Sequence, residues 1–251
     1  MTTTPSPKKK PLVIFAYVVF MVVVVLLGNL IWRYVERANY IAHPKLVRLK
    51  IESPLVSLDS KEGQTRLKES NFDQDFKLLN KYFQPQVYLS YCGVATSVMV
   101  LNALYDNSKF QQSKYFEDRV HHVGAAYRTF FGGMTLAEFD QYIQGEDIHV
   151  SRKHGDEISL TAFRQQVKAN LNDDTDVMVI NYSRKSLGQK GGGHFSPLYA
   201  FHEASDTILI GDVGAHKYPP VWAPLASIWR GIRTRDQTSN KYRGLLQIRR
   251  K

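Results

Sequence analysis

Cysteine occurs once in this chain, at Cys92. A lone thiol permits no intramolecular disulfide, so cysteine count assigns no redox compartment. The eight histidines lack a recognised zinc-ligand spacing. A non-catalytic metal-binding module built from His121, His122, His149, His154 and Cys92 therefore ranks last among the readings. No internal repeat is visible, which excludes a stacked-repeat architecture. Acidic side chains are nearly missing from the first 50 positions. Glu36 stands there alone against Lys8, Lys9, Lys10, Arg33, Arg37, Lys45, Arg48 and Lys50. A nucleic-acid binder concentrates positive charge on its folded domain. Here it flanks an apolar stretch, so the net charge of +10 reads as membrane-related and no nucleic-acid partner is expected.

At 43% hydrophobic and 22% charged residues the composition is globular, and 251 residues suffice for an N-terminal segment plus one domain. Residues 1–11 are polar and read as a disordered cytoplasmic tail. Residues 12–32 are almost wholly apolar, long enough to span a bilayer's hydrocarbon core of about 20 helical residues. Trp32 and Tyr34 suit its interface. A cleaved signal peptide is the competing reading, but its apolar region is usually shorter, about 7–15 residues, and ends in small residues. The sequence Asn29-Leu30-Ile31-Trp32-Arg33 offers no such site. An uncleaved single-pass anchor in the lipid bilayer is expected. Lys8–Lys10 favour a cytoplasmic N-terminus, although Arg33 and Arg37 oppose them. That orientation puts the domain outside the cytoplasm, in a periplasmic or equivalent space. Residues 33–71 then form a juxtamembrane linker, with a short strand near 46–51, and residues 72–251 the folded domain.

Within that domain, residues 107–133 read as a long surface flap. Thr135-Leu136-Ala137-Glu138 has capping-box spacing, which predicts a helix to about Gln144. Residues 148–151 alternate as a short strand. Leu160, Phe163, Val167 and Leu171 mark one helical face. Three strands follow, at 177–182, 194–201 and 207–210, joined by short polar connections that predict an antiparallel meander. Pro219-Pro220 closes the sheet, and a helix at 225–233 and a strand at 245–248 complete it. Helices precede an antiparallel sheet, an α+β plan.

Cys92 stands at the start of an apolar helical run, Val94, Val98, Leu101 and Leu104. A thiol there faces unpaired backbone N–H groups and the positive end of the helix dipole, both of which favour the thiolate. Gln86, six residues upstream, is placed to aim an amide at an oxyanion beside the sulfur. The plain alternative is a buried cysteine acting as a small hydrophobe. His194 begins one predicted strand and Asp212 ends the next. In a hairpin the two meet at one edge, which with Cys92 makes a thiol acyl-transfer arrangement. Gly191, Gly192 and Gly193 would let a substrate backbone approach closely. The alternatives are a surface histidine and a turn aspartate.

Gln86…Tyr91-Cys92-Gly93-Val94-Ala95, Gly192-Gly193-His194-Phe195-Ser196-Pro197 and Asp212-Val213…Lys217-Tyr218-Pro219-Pro220-Val221-Trp222 resemble the phytochelatin synthase family. The likeness runs from about Phe72 to Ile248, and the single-domain form is most similar to the bacterial members. It implies a papain-like cysteine proteinase fold, a helical half followed by an antiparallel sheet, and transfer chemistry on glutathione linked to metal detoxification. It further implies Cys92 as nucleophile, His194 as base and then acid, Asp212 as its orienting partner and Gln86 as oxyanion donor. Arg184, Gly193 and Tyr218 would bind substrate, Arg184 at the glutamyl end. No cofactor is implied for hydrolysis. A divalent metal, cadmium or zinc, would enter as a metal–thiolate substrate or an activator. Plant and yeast members carry a cysteine-rich C-terminal extension, whereas this chain ends soon after its last strand. Hydrolysis of glutathione or a single transfer is therefore expected. The same triad would serve a membrane-anchored peptidase. A homodimer is compatible with this reading.

Overall fold

A computed structural model describes residues 10–251 apart from His121, Val123 and Glu146. The expectations for residues 1–9 and for His121 lie outside the described residues. Two compact units appear, one ending at Ala42 and the other spanning His43–Lys251.

The first unit is helix α1 (Lys10–Ala42). Its stretch Val13–Ala42 is long and apolar enough to cross a membrane. Lys10 and Pro11, assigned by sequence to the tail, open this helix, and it continues ten residues past Trp32. Nothing in residues 33–42 breaks a helix, and Pro44 lies just beyond its end, disfavouring helix at His43. Within the apolar stretch, Asn29 turns its Nδ2 onto the Val25 carbonyl at 2.9 Å.

The second unit begins well before Phe72. Residues 46–51 form no regular strand but run against the 216–217 segment, where the Val47 and Leu49 N–H groups donate to the His216 and Lys217 carbonyls at 2.8 and 3.0 Å. Strand β1 (Val56–Ser57) and helix α2 (Lys61–Glu69) follow. Ser60 caps α2 by accepting from the Gly63 N–H. Gly63 is required there, because an added Cβ would lie 2.0 Å from the Ser57 carbonyl oxygen. Of the segment expected to be a linker, residues 33–42 belong to α1 and residues 43–71 to the domain.

Helices α3 (Gln74–Asn80), α4 (Cys92–Leu104), α5 (Tyr115–Asp118), α6 (Ala125–Gly132) and α7 (Leu136–Ile143) come next. The capping box of α7 forms as its spacing predicts, with both Thr135 and Glu138 bonds present. The expected flap is built into the domain: Tyr115, Ala125 and Thr129 are buried, and the Asn102 side chain bonds both polar groups of the Phe110 backbone. Strand β2 (Ile148–His154), helix α8 (Leu160–Asn170), β3 (Asp176–Ser183), β4 (Gly193–His202), β5 (Thr207–Ile210), β6 (Val221–Pro224), α9 (Leu225–Ile232) and β7 (Gly244–Arg250) complete the chain.

The seven strands among the described residues form one antiparallel sheet in the order β1-β6-β5-β4-β3-β7-β2. The meander of β3, β4 and β5 appears as expected. Pro219-Pro220 does not end the sheet: the chain re-enters as β6, between β5 and β1. Side chains alternate across a strand, and β3 uses both faces. Val177 and Val179 join a core with residues of α3, α4 and α7. Met178 and Ile180 join a second core with residues of α8 and α9. Helix cover on both faces explains why β3 reads as a continuous apolar run rather than an alternating one.

Candidate active site

The first residue of α4 is Cys92. Every residue from Cys92 to Ala103 is buried, so the helix is enclosed on all sides rather than along one stripe. Its cap residue, Tyr91, makes no side-chain cap bond. The Cys92 N–H, in the first turn, has no intrahelical acceptor. At the other end of the site the pairing of β4 with β5 brings His194 and Asp212 together. His194 Nε2 lies 2.8 Å from Asp212 Oδ1. With Nε2–H donating to that carboxylate, Nδ1 is the nitrogen left for the thiol, and the His194 side chain is within hydrogen-bonding reach of Cys92. Thr96 joins α4 to β4 through the Phe195 carbonyl at 3.4 Å.

Asp212 is completely buried, and His194 and Arg184 are 5% and 4% exposed. Arg184 Nη1 donates to Asp212 Oδ2 and Nη2 to Oδ1, both at 2.7 Å. The Gly214 N–H adds a fourth bond, to Oδ1 at 2.8 Å. Burial alone would raise the Asp212 pKa, but the Arg184 charge, followed by His194, outweighs it and holds the carboxyl well below the usual carboxylate range. Burial likewise pushes the Cys92 thiol up. The His194 charge and hydrogen bond, a hydrogen bond with the Phe195 backbone and Arg184 bring it below the ordinary cysteine value. For His194, burial and Arg184 pull the pKa down, and Asp212 and Cys92 overcome them to raise it. An acidified thiol beside a basified imidazole favours a thiolate–imidazolium pair.

A family model described as phytochelatin synthase matches residues 46–245. The chain belongs to the phytochelatin synthase family. Among its relatives, glutathione gamma-glutamylcysteinyltransferase 3 of Lotus japonicus is 30% identical over 203 residues, covering 78% of this chain and 42% of the relative. Glutathione gamma-glutamylcysteinyltransferase 1 of the same plant is 32% identical over 221 residues, covering 81% and 42%. The glutathione gamma-glutamylcysteinyltransferase of Schizosaccharomyces pombe is 30% identical over 166 residues, covering 63% and 39%. The chain thus spans about two fifths of the length of these curated relatives.

Within this phytochelatin synthase domain, the remaining expected site residues take other positions. Gln86 is buried, and its Nε2 donates to the Tyr88 and Leu89 carbonyls, each at 2.8 Å. Both amide hydrogens are engaged, which leaves no side-chain donor for an oxyanion at Cys92. Turning the amide over would set its oxygen against two carbonyls. Arg184 is neither a solvated loop charge nor open to substrate, because its fork closes on Asp212. Gly193 is exposed, and its missing side chain admits Arg243: an added Cβ would lie 2.5 Å from Arg243 Nη1. Tyr218 is buried with its ring 5.3 Å from the Arg184 guanidinium, and its hydroxyl accepts from the Lys190 N–H at 2.8 Å. It therefore supports Arg184 rather than lining an open site.

Arg243, Asn181, Asp236 and Gly214 are the residues that sequence reasoning missed. Arg243 Nη1 donates to Asn181 Oδ1 at 3.0 Å and lies 3.7 Å from Asp236 Oδ1. Its guanidinium is close enough to Cys92 for the two charges to interact. No spacing signal marks it, since it meets Cys92 only through the β7–β3–β4 order. Gly214 could have been suspected from its place two residues after Asp212. A Cβ there would lie 2.7 Å from Arg184 Nη2 and 3.0 Å from Asp212 Oδ1. Among the described residues no group of three or more His, Cys, Asp or Glu side chains could hold a metal ion. An open cleft at the far end of β4 is lined by Lys61, Arg66, Glu69, His202 and Ser205. Its Arg66 and His202 are already paired with Glu62 and Glu69.

Proposed function

We propose that this protein is a thiol-dependent acyltransferase and hydrolase of glutathione, built on a papain-like Cys92–His194–Asp212 triad. The observation that carries the reading is the buried His194–Asp212 pair beside a thiol at a helix N-terminus, within a family whose relatives bear the transferase name. The Cys92 thiolate attacks the carbonyl joining cysteine to glycine. The oxyanion takes a hydrogen bond from the Cys92 N–H. Removing one such donor typically costs about 10²–10³ in rate. His194 protonates the departing glycine amine, and γ-glutamylcysteine remains as a thioester on Cys92. Water resolves it to free γ-glutamylcysteine, or a second glutathione takes the acyl group and extends the peptide. Asp212 holds the imidazole in one orientation through both steps.

Arg243 and Asp236 favour glutathione over an ordinary peptide. A guanidinium and a carboxylate side by side, both largely buried, suit the carboxylate and amine of a free glutamyl end. Cadmium or zinc enters this scheme as a metal–thiolate form of the substrate. Helix α1 is read as an uncleaved membrane anchor, with the domain outside the cytoplasm acting on exported or environmental glutathione. Recovery of a soluble mature form lacking α1 would identify a signal sequence instead.

The test is chromatography of glutathione incubated with the full chain in mild detergent, with and without cadmium or zinc. Glycine and γ-glutamylcysteine, or its extended peptide, are the expected products. Release of glutamate would move cleavage to the wrong bond and overturn the assignment. Cleavage of ordinary peptides with no turnover of glutathione would make the protein a membrane-anchored peptidase.

A further inference from the structure

The buried charge that flanks the triad is more than packing. We infer that Arg184 is the positioning residue of this site, acting through Asp212 to hold His194 in register with Cys92, and is not a ligand of the substrate. The inference rests on the proposed triad. It assigns to Arg184 a role different from the one its motif suggested.

The geometry is specific. Both terminal nitrogens of the guanidinium meet both oxygens of one carboxylate at 2.7 Å. A fork on a carboxylate in this arrangement fixes the carboxylate plane as well as its charge. Asp212 Oδ1 then has one direction left for His194 Nε2, because the Gly214 N–H occupies another. Gln189 Oε1 accepts from Nη1 at 2.8 Å on the far side. The loop is shaped to hold the fork. The Arg184 N–H donates to the Gly192 carbonyl and the Gln189 N–H to the Arg184 carbonyl, both at 3.0 Å. Tyr218 covers the guanidinium face. Gly191 takes φ +132°, and a Cβ on it would come 2.9 Å from Arg184 Cδ. A substrate carboxylate could take the Nη1–Nη2 edge of this guanidinium only by displacing Asp212. Such a displacement would leave the buried Asp212 carboxylate without its guanidinium partner, which is strongly unfavourable.

Charge counting agrees. With Cys92 as thiolate and His194 as imidazolium, the four groups Cys92, His194, Asp212 and Arg184 sum to zero. Without Arg184 the thiolate–imidazolium form of the buried set, with Asp212 ionised, is left with a net charge of −1. A protonated Asp212 would no longer accept from His194 in the same way, and the imidazole would lose its fixed tautomer.

The experiment uses the full chain in detergent. Arg184→Met should lower kcat by about 10²-fold, the effect of a small misplacement of a catalytic group, with KM for glutathione little changed. Arg184→Lys should restore part of kcat, because it returns the charge without the fork. Cys92 alkylation followed against pH should titrate higher in Arg184→Met than in the parent. Arg184→Lys, which keeps the charge that acts directly on Cys92, should titrate above the parent as well; coincidence with the parent would mean that the charge alone acts on the thiol and would overturn the positioning role. Arg184→Met combined with Asp212→Asn should be no slower than Asp212→Asn alone, since both remove one unit of function. The double variant also buries no unpaired charge, which covers the case in which Arg184→Met alone fails to fold. A raised KM with kcat kept, or losses that multiply in the double variant, would overturn the inference and make Arg184 a substrate ligand. If the parent released no glycine, the proposed reaction would fail, and the alkylation profiles would still decide the role of Arg184.

Discussion

Asp75 offers a sharp test of how this fold is held, because it is a buried acid with nothing to neutralise it. The ladder between β3 and β4 runs only from Val179↔Pro197 to Ser183↔Gly193. Beyond it Phe72 bridges to Phe201, and the start of α3 enters next to the opened strands. Asp75 is fully buried there, and neither carboxyl oxygen makes a well-formed hydrogen bond. Burial, then Asp176, raise its pKa well above the usual carboxylate value; the nearby Met178 backbone lowers it by less, and Asp173 raises it further. No basic side chain contributes, and Arg249 acts on Asp176 and Asp173 instead. In the folded state Asp75 therefore keeps its proton at pH values where the unfolded chain has lost it. Between the unfolded pKa of about 3.9 and the raised folded one, folding binds one extra proton. Stability should then fall by about 1.4 kcal/mol per pH unit as pH rises. Below that window both states hold the proton and the slope vanishes. Asp75→Asn, with no proton to lose, should remove this slope and be the relatively more stable protein toward pH 8. Urea denaturation of the full chain in detergent, followed by the fluorescence of buried Trp222, measures it. Taking the difference between parent and variant at each pH cancels the titrating groups that do not interact with Asp75. A difference that stays constant from pH 4 to pH 8 would refute the neutral carboxyl.

Alkylation of Cys92 should titrate below the free-thiol value of about 8.5, and His194→Ala should move it upward; a normal thiol pKa in the folded parent would count against the triad. Gly214→Ala should depress turnover while leaving the domain folded, because its methyl would press on Arg184 Nη2 at 2.7 Å and Asp212 Oδ1 at 3.0 Å; unchanged kinetics would mean that the loop yields freely. Thr135→Ala should lower unfolding stability by about 1 kcal/mol through loss of the α7 cap, with no change in Cys92 reactivity. Cys92→Ser should leave stability near the parent value and abolish measurable turnover, since a hydroxyl is a poor nucleophile until its proton is removed; retained turnover would exclude Cys92 as nucleophile.

Much of this protein was legible from local pattern alone. The apolar run of α1, the α7 capping box, the α8 face and the strands of the meander are encoded within a few consecutive residues, and local hydrogen bonding and periodicity set them. Cys92 at a helix start, and His194 and Asp212 at neighbouring strand ends, follow from the same local signals plus the short β4–β5 connection. Residues 52–71 carry no such signal. Their β1 and α2 form because β6 offers β1 an edge and Gly63 lets α2 close on the Ser57 carbonyl, conditions that exist only once the chain has folded. The same holds for β6, a four-residue strand directly after two prolines.

Side-chain partnership was the part that sequence could not assign. An arginine ten residues before a histidine is equally compatible with a substrate ligand and with a carboxylate clamp. The approach of β5's end to the 184–192 loop decided for the clamp. Gln86 has the right residue type and separation for an oxyanion donor, yet two nearby carbonyls take both of its hydrogens. Arg243 lies 151 positions from Cys92 and comes near it only because β7 pairs beside β3, and β3 beside β4. Sequence set which residues could do chemistry, because thiol, imidazole and carboxylate are properties of single side chains. Tertiary structure decided which of them face one another, because burial, charge balance and hydrogen-bond direction belong to the folded chain.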